Sequence, residues 1–266
     1  MFRLNSVFQT HNERPQLPVQ RSIQRSNQFQ FHYPIKPLTQ PLTQPLTQNK
    51  PSTNTTMTIT SYSQLNQDLE VLKLYNNKSN GFFVEIGASD GIELSNTYLL
   101  ETVYNWKGIC VEPIPIKFES LCKNRPNSIC YQDAVYSEGG KQVTFDICNS
   151  LTLLSGISDN IDFHKDTVNQ NKTQIIVNTI TLNDLLEKSD SPLFIEYLSL
   201  DTEGSELEIL KSVDFEKYTF GLIDVEHNYV EPRRTEIRNL LTANNYHYVR
   251  ENKHDDCYQH NSIYKS

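Results

Sequence analysis

The chain has 266 residues, enough for one large or two small domains, with 37 % apolar residues and a formal net charge of −8. That charge is unevenly divided: residues 1–60 hold six basic residues and one acidic residue, which leaves 18 basic and 31 acidic residues, a balance of −13, for residues 61–266. A body this acidic repels phosphate backbones and disfavours nucleic acid as a partner. No apolar run approaches the ~18 residues of a membrane span or makes a secretory h-region, so a cytoplasmic protein without membrane partners is expected.

Residues 1–60 are rich in Gln, Pro, Thr, Asn and Ser, and their apolar residues are too scattered to fill a helix or strand face. They are expected to form a disordered low-complexity tail ahead of a single folded domain over 61–266. Inside the tail, residues 37–48 repeat Pro-Leu-Thr-Gln three times, a period far below the ~20 residues of a stacking repeat. Five cysteines without a CxxC pair suit reduced thiols better than a disulfide framework.

Past residue 60 the sequence becomes periodic. Leu65, Leu69 and Leu72 predict a helix over 64–75, and Phe82-Phe83-Val84-Glu85-Ile86 a buried strand that breaks at Gly87. A helix over 95–104 with Ser95 as its cap, a strand over 107–112, a helix over 116–123 and a strand over 128–132 follow. Residues 146–177 are polar with few periodic apolar positions, and are expected to be a substrate-gating lid or a disordered loop. Helices over 181–188, 205–212 and 231–243 then alternate with strands over 194–200 and 219–226, and a terminal pair of strands covers 246–250 and 257–264. This alternation implies an α/β fold whose mostly parallel sheet is covered on both faces.

Ligands of such sheets bind at the carboxyl ends of the strands, and four of those ends carry acids. The first is Glu85-Ile86-Gly87-Ala88-Ser89-Asp90-Gly91. Gly87 lets the chain turn tightly and Gly91 allows a ligand to approach, but the spacing is not the GxGxxG dinucleotide pattern, which disfavours a nicotinamide-dependent oxidoreductase. Glu85 and Asp90 would repel a pyrophosphate and welcome an ammonium group. The second end is Val111-Glu112-Pro113, where an acid closing the second strand can accept both ribose hydroxyls of a nucleoside. The third, Asp133 with Ala134, falls where an adenine amino group would lie. The fourth is Asp201-Thr202-Glu203-Gly204-Ser205-Glu206, followed by Glu226-His227-Asn228 at the end of the next strand.

The series 81–91, Ser95-Asn96-Thr97, 106–113, 200–206 and Val225-Glu226-His227 resembles the FkbM methyltransferase family over residues 61–264, with five motifs in the family's order and spacing. The resemblance implies a class I methyltransferase fold, a Rossmann-like three-layer sandwich, binding S-adenosyl-L-methionine and transferring its methyl group to a hydroxyl of a sugar, glycan or small natural product. By that analogy Glu85, Gly87, Ser89, Asp90, Gly91, Glu112, Asp133 and Ala134 hold the cofactor. Because the sulfonium is already an activated leaving group, the protein must align an oxygen and help remove its proton. Asp201 or His227 is the expected base, Glu226 orients His227 or binds hydroxyls, and Glu203 and Asn228 meet the acceptor. Asp201, Glu203 and Glu226 would also suit a divalent metal, but metal-free proton transfer is the expected chemistry. The rival reading is a catalytically inactive, methyltransferase-like binding module.

Overall fold

A computed structural model of the chain describes residues 59–264, so the expected tail over 1–60 lies, but for its last two positions, outside the described residues. The described chain opens with α1 (Gln67–Leu74), β1 (Phe82–Ile86), α2 (Tyr98–Tyr104), β2 (Lys107–Val111), α3 (Pro115–Asn124) and β3 (Ile129–Tyr131). A second run comprises β4 (Ala134–Val135), β5 (Gln142–Cys148), β6 (Gly156–Ile157), α4 (Lys165–Gln170) and β7 (Lys172–Ile180). The chain returns through α5 (Leu182–Lys188), β8 (Phe194–Leu200), α6 (Glu206–Lys211), β9 (Thr219–Glu226), α7 (Arg233–Ala243), β10 (Tyr246–Asn252) and β11 (Asp255–His260).

Seven strands form the main sheet in the order β10-β11-β9-β8-β1-β2-β3. The strands β3, β2, β1, β8 and β9 pair parallel in turn, and β11 runs antiparallel to both β9 and β10. Between β1 and β8 the strand order reverses, which opens the crevice where such sheets bind ligands. Helices α1, α2 and α3 cover one face through Val71, Leu72, Leu99, Leu100 and Leu121. Helices α5, α6 and α7 cover the other through Leu182, Leu185, Leu210, Ile237 and Leu241. Each such buried side chain stabilises by roughly 1.5–3 kcal/mol, and burial on both faces is why β8 and β9 read as nearly continuous apolar runs. The result is the class I methyltransferase fold, a three-layer sandwich closed by an antiparallel pair. Among the described residues no helix is long and apolar enough to cross a membrane.

Several boundaries move for identifiable reasons. The first helix starts at Gln67 rather than residue 64, because Asn66 takes the left-handed conformation at φ 61° and Asp68 gathers the hydroxyls of Ser61 and Ser63 and the N–H of Tyr62. The second helix starts at Tyr98 with Thr97, not Ser95, in the cap position, and the Ser95 hydroxyl two residues before that cap accepts the N–H groups of Thr97 and Tyr98. The larger correction concerns residues 146–177. They carry regular structure: β5 pairs antiparallel with β7 over seven residues, from Gln142↔Asn178 to Cys148↔Lys172, in a second sheet ordered β4-β7-β5-β6. Val143, Phe145 and Ile147 on β5 and Ile175 and Val177 on β7 alternate and pack together, an apolar face of only two or three residues per strand that the polar residues between them obscure in the sequence, and Lys172 and Gln174 both donate to the buried Asp146.

A buried cation joins the first half of the main sheet. Arg125, fully buried just past α3, donates from Nε to Glu101 at 2.6 Å and from Nη1 to Glu85 at 3.2 Å, and its Nη2 donates to Thr97 Oγ1 at 2.7 Å. Nη1 also reaches the Gly91 carbonyl at 3.3 Å, and the guanidinium lies 5.2 Å from the centre of the Phe83 ring. Burial works against the charge, but the surrounding acids outweigh it and hold the guanidinium more firmly protonated than usual. Arg125→Met strands two buried carboxylates without a counter-charge, and is expected to destabilise the fold by about 3–5 kcal/mol. The shift in urea midpoint measures it, and a loss under about 1 kcal/mol would show that the network is dispensable.

Candidate active site

The carboxyl ends of β8, β1 and β2 are tied edge to edge. Gly87 sits at φ +88°, and a Cβ there would lie 2.0 Å from the Asp201 carbonyl oxygen, so only glycine allows the two strand ends to close. Asp201 N–H donates to Ile86 at 3.2 Å, while the N–H groups of Gly87 and Ala88 donate to Val111 at 3.1 and 3.0 Å. On the β2 side, Glu112 is buried and its two oxygens accept the N–H groups of Ser89 at 3.0 Å and Ile114 at 2.8 Å. Burial pushes the Glu112 carboxyl up to about 7 against the pull of those two bonds. An ionised carboxylate has about four lone-pair sites, so Glu112 retains acceptor capacity for two further hydroxyls.

Not every residue of the first turn faces that crevice. Glu85 is spent inside the protein: Ser95 Oγ, Asn96 N–H and Thr97 Oγ1 donate to it beside Arg125, so it is unavailable to a ligand ammonium. Asp90 uses Oδ1 to accept the N–H groups of Ile92 and Glu93, which fixes the turn. Gly91 is also not there for a ligand. A Cβ on it would lie 2.7 Å from the Arg125 Cγ, so the close approach is made by the arginine stem. Ser89, at φ 49°, is buried with its N–H on Glu112, and Asp133 and Ala134 follow the end of β3.

Strand register explains the acids at the other end of the crevice. Glu85 pairs with Ser199, Ser199 with Asp224 and Asp224 with Cys257, and side chains two residues further on share that face. The inner rank is bonded internally, with Tyr197 Oη donating to Asp224 at 2.9 Å and Asn96 Nδ2 to Ser199 Oγ at 2.9 Å. The outer rank is Asp201, Glu226 and Asp255, the last two being register partners across β9 and β11. Oxygens of Asp201, Glu203 and Glu226 lie within 4.8 Å of one another. Glu203 and Glu226 are buried while Asp201 opens to solvent, and one Glu226 oxygen has no hydrogen-bond partner. Burial first, and then mutual repulsion, pushes the Glu203 and Glu226 carboxyls well above the usual range, and Asp201 rises in the same direction. Glu206 lies beside them and closes the loop: one oxygen accepts the N–H groups of Thr202 and Gly204.

His227 is a correction. It follows Glu226 directly, so its ring points the other way. Its Nδ1 accepts the N–H of Tyr229 at 2.9 Å and its Nε2 lies 3.5 Å from Asp256, which Arg234 and Arg238 already pair. His227 therefore does not join Asp201, and Glu226 does not orient it. Asn228 does reach the cluster, donating to Glu203 at 3.4 Å. Sequence reading missed Asp255, which a β-strand far along the chain delivers, and Gln67, which donates to it at 2.8 Å. Within the segment expected to be a lid or a loop, it did not single out Asn160 or His164. A Cβ on Gly204 would lie 2.1 Å from the Asn160 carbonyl, His164 Nε2 stands 3.9 Å from Glu203, and Arg233 donates to Gly204 at 3.1 Å.

The profile of the methyltransferase FkbM domain matches residues 85–248, more than half of the chain and the stretch that holds Gly87, Glu112, Asp201, Glu203 and Glu226. No curated protein matches the chain in sequence. Among solved structures, the human methyltransferase 10 domain containing protein is 12 % identical with a TM-score of 0.42, over 76 % of this chain and 82 % of that one. A precorrin-6y C5,15-methyltransferase from Geobacter metallireducens is 11 % identical with a TM-score of 0.39, over 72 % and 84 %. The M. capricolum TrmK in complex with S-adenosylhomocysteine is 13 % identical with a TM-score of 0.34, over 72 % and 68 %. With the strand order and the occupied strand ends already in place, the profile match settles the family: the chain belongs to the FkbM methyltransferases.

Proposed function

We propose that the chain binds S-adenosyl-L-methionine between the turn after β1 and Glu112, and methylates a hydroxyl of a sugar, glycan or small natural product held at the acids after β8 and β9. The observation that carries this reading is Glu112, a buried carboxylate with spare acceptor capacity at the end of β2, next to a glycine turn locked to Asp201. The bound cofactor supplies a sulfonium-activated methyl group. Glu112 accepts the two ribose hydroxyls, Gly87 and Ser89 shape the turn beneath them, and Asp133 with Ala134 borders the base.

At the acceptor end, Asp201 is the open carboxylate. It receives the hydroxyl proton as the oxygen is methylated, while Glu203, held by Asn228, orients the acceptor. The loop after β6 packs on Thr202 to Gly204 and borders this end, where it would serve as the lid that the polar segment suggested. An acceptor rich in neutral hydroxyls fits, because phosphate or carboxylate substituents would meet a wall of acids.

Calorimetric titration of the protein with S-adenosylmethionine and S-adenosylhomocysteine tests the reading. Micromolar binding is expected, weakened about tenfold to a hundredfold in Glu112→Ala, since bonds to a charged partner contribute roughly 1.5–3 kcal/mol. Absence of binding by either nucleoside would sink it.

The sign of the pH dependence follows from Glu112. Donated ribose hydroxyls favour its ionised form, whereas the free protein holds the carboxyl up near 7. Binding is then coupled to proton release, so affinity rises between pH 6 and pH 8 and levels off above, and Glu112→Gln flattens the profile. At the acceptor end, Asp201→Asn is expected to keep cofactor affinity within about twofold and lose turnover by a factor of roughly 10² or more. Near-full turnover in that variant would remove Asp201 from the chemistry.

A further inference from the structure

The acid cluster at the acceptor end contains more negative charge than proton transfer needs. Asp201, Glu203 and Glu226 converge to within 4.8 Å, and Asp255 is the register partner of Glu226 on the next strand. The nearby cations stand off. Arg233 is 3.9 Å from Glu206 and donates through Nη1 to Asp162 and to the Gly204 carbonyl, and His164 is 3.9 Å from Glu203, beyond hydrogen-bond reach. The decisive group is Glu226. It is 6 % exposed, its carboxylate lies against those of Asp201 and Glu203, and one of its oxygens has no hydrogen-bond partner. A buried acceptor left unpaired costs about 1–3 kcal/mol, more when charged, unless something else meets it.

We propose that Asp201, Glu203 and Glu226 form a binding site for one divalent oxygen-seeking cation of the Mg²⁺, Mn²⁺ or Ca²⁺ class. This inference rests on the methyl-transfer reading for its use but not for its existence. Two oxygens on one ion stand at most about 4.2 Å apart on Mg²⁺ and about 5.2 Å apart on Ca²⁺, and the 4.8 Å within which the three carboxylates converge meets the larger limit outright and the smaller one after a side-chain shift of about half an ångström. A dication leaves one net charge on three carboxylates, where an ammonium group would leave two. Asn228 donates to Glu203 at 3.4 Å and fixes that ligand's orientation from behind. The sequence favoured proton transfer without a metal, and the geometry points the other way.

The contrast with the neighbouring acid group is instructive. His227, Glu251 and Asp256 also converge within 4.8 Å, but Arg234 pairs with both acids and Arg238 with Asp256, so that group already has its cations. In the proposed site Asp201 is the solvent-facing ligand, which leaves the ion open on that side to an acceptor hydroxyl. The ion's charge lowers the pKa of that hydroxyl. Its proton passes to the Asp201 oxygen that does not bind the ion. The oxygen lone pair forms the new bond to the methyl carbon as the carbon–sulfur bond breaks, its electron pair staying on sulfur as the neutral thioether.

Full-length protein stripped with EDTA and titrated with MnCl₂, with free Mn²⁺ read by electron paramagnetic resonance and no nucleoside present, tests the site. One Mn²⁺ per chain is expected, displaced competitively by Mg²⁺ or Ca²⁺. Binding should weaken by at least about tenfold in Glu226→Gln and in Asp201→Asn, the latter a solvent-facing change that spares the core. Melting temperatures of both variants confirm that they fold. No bound Mn²⁺ in the wild type, or unchanged affinity in Asp201→Asn, overturns the proposal. S-adenosylmethionine titrated into the stripped protein separates the two readings. Nucleoside binding without any Mn²⁺ site removes the ion alone, and an Mn²⁺ site without nucleoside binding removes the methyl-transfer reading alone.

Discussion

The Arg125 guanidinium is the contact on which the β1 and β2 end of the crevice depends. It comes from the end of α3, yet it neutralises Glu85 at the heart of β1, grips Glu101 on α2 and bonds the carbonyl of Gly91 in the turn between them. Three elements and the turn that connects two of them are therefore set by one side chain. A buried pair of this kind does not need to add net stability to matter. It fixes where the turn runs, and the turn carries the Ser89 N–H that holds Glu112 in place.

At the opposite end of the crevice the same sheet does the reverse. Around Arg125 each acid has a partner, whereas Asp201, Glu203 and Glu226 are gathered with few cations near them, and their carboxyls are pushed toward the neutral form. Folding tolerates this crowding because the strands leave little choice. Parallel pairing of β8 and β9 puts Asp201 and Glu226 on one face, and β11 adds Asp255 to the row. Unneutralised charge placed by rigid strands is a reserve of interaction energy for whatever cation or hydroxyl arrives.

Most of the main sheet was legible because strands buried on both faces write themselves as apolar runs, and glycines mark where β1 ends. Glu112 and Asp201 were legible for the same reason, since each is the first acid beyond such a run. Side-chain direction was less accessible. Glu85 and Gly91 lie within a recognisable motif, yet both serve Arg125, a residue some forty positions from Glu85 that no local pattern connects to it. Adjacency also misled for Glu226 and His227, neighbours in sequence that the pleat sends to opposite sides. The second sheet escaped because its apolar face is only two or three residues per strand, so that regular structure and loop look alike in composition.

That second sheet enters and leaves the fold at one place. Its first strand, β4, pairs parallel with its last, β7, through Ala134↔Thr179 and Val135↔Ile180, immediately before α5 leads back to the central strands. Everything between those two pairings hangs from a stitched base, and it touches the acids after β8 through the residues that follow β6. The hairpin can thus be lengthened, shortened or exchanged without pulling on β1, β2 or β8, which makes it the natural place for reshaping one wall of the crevice while the central strands stay as they are.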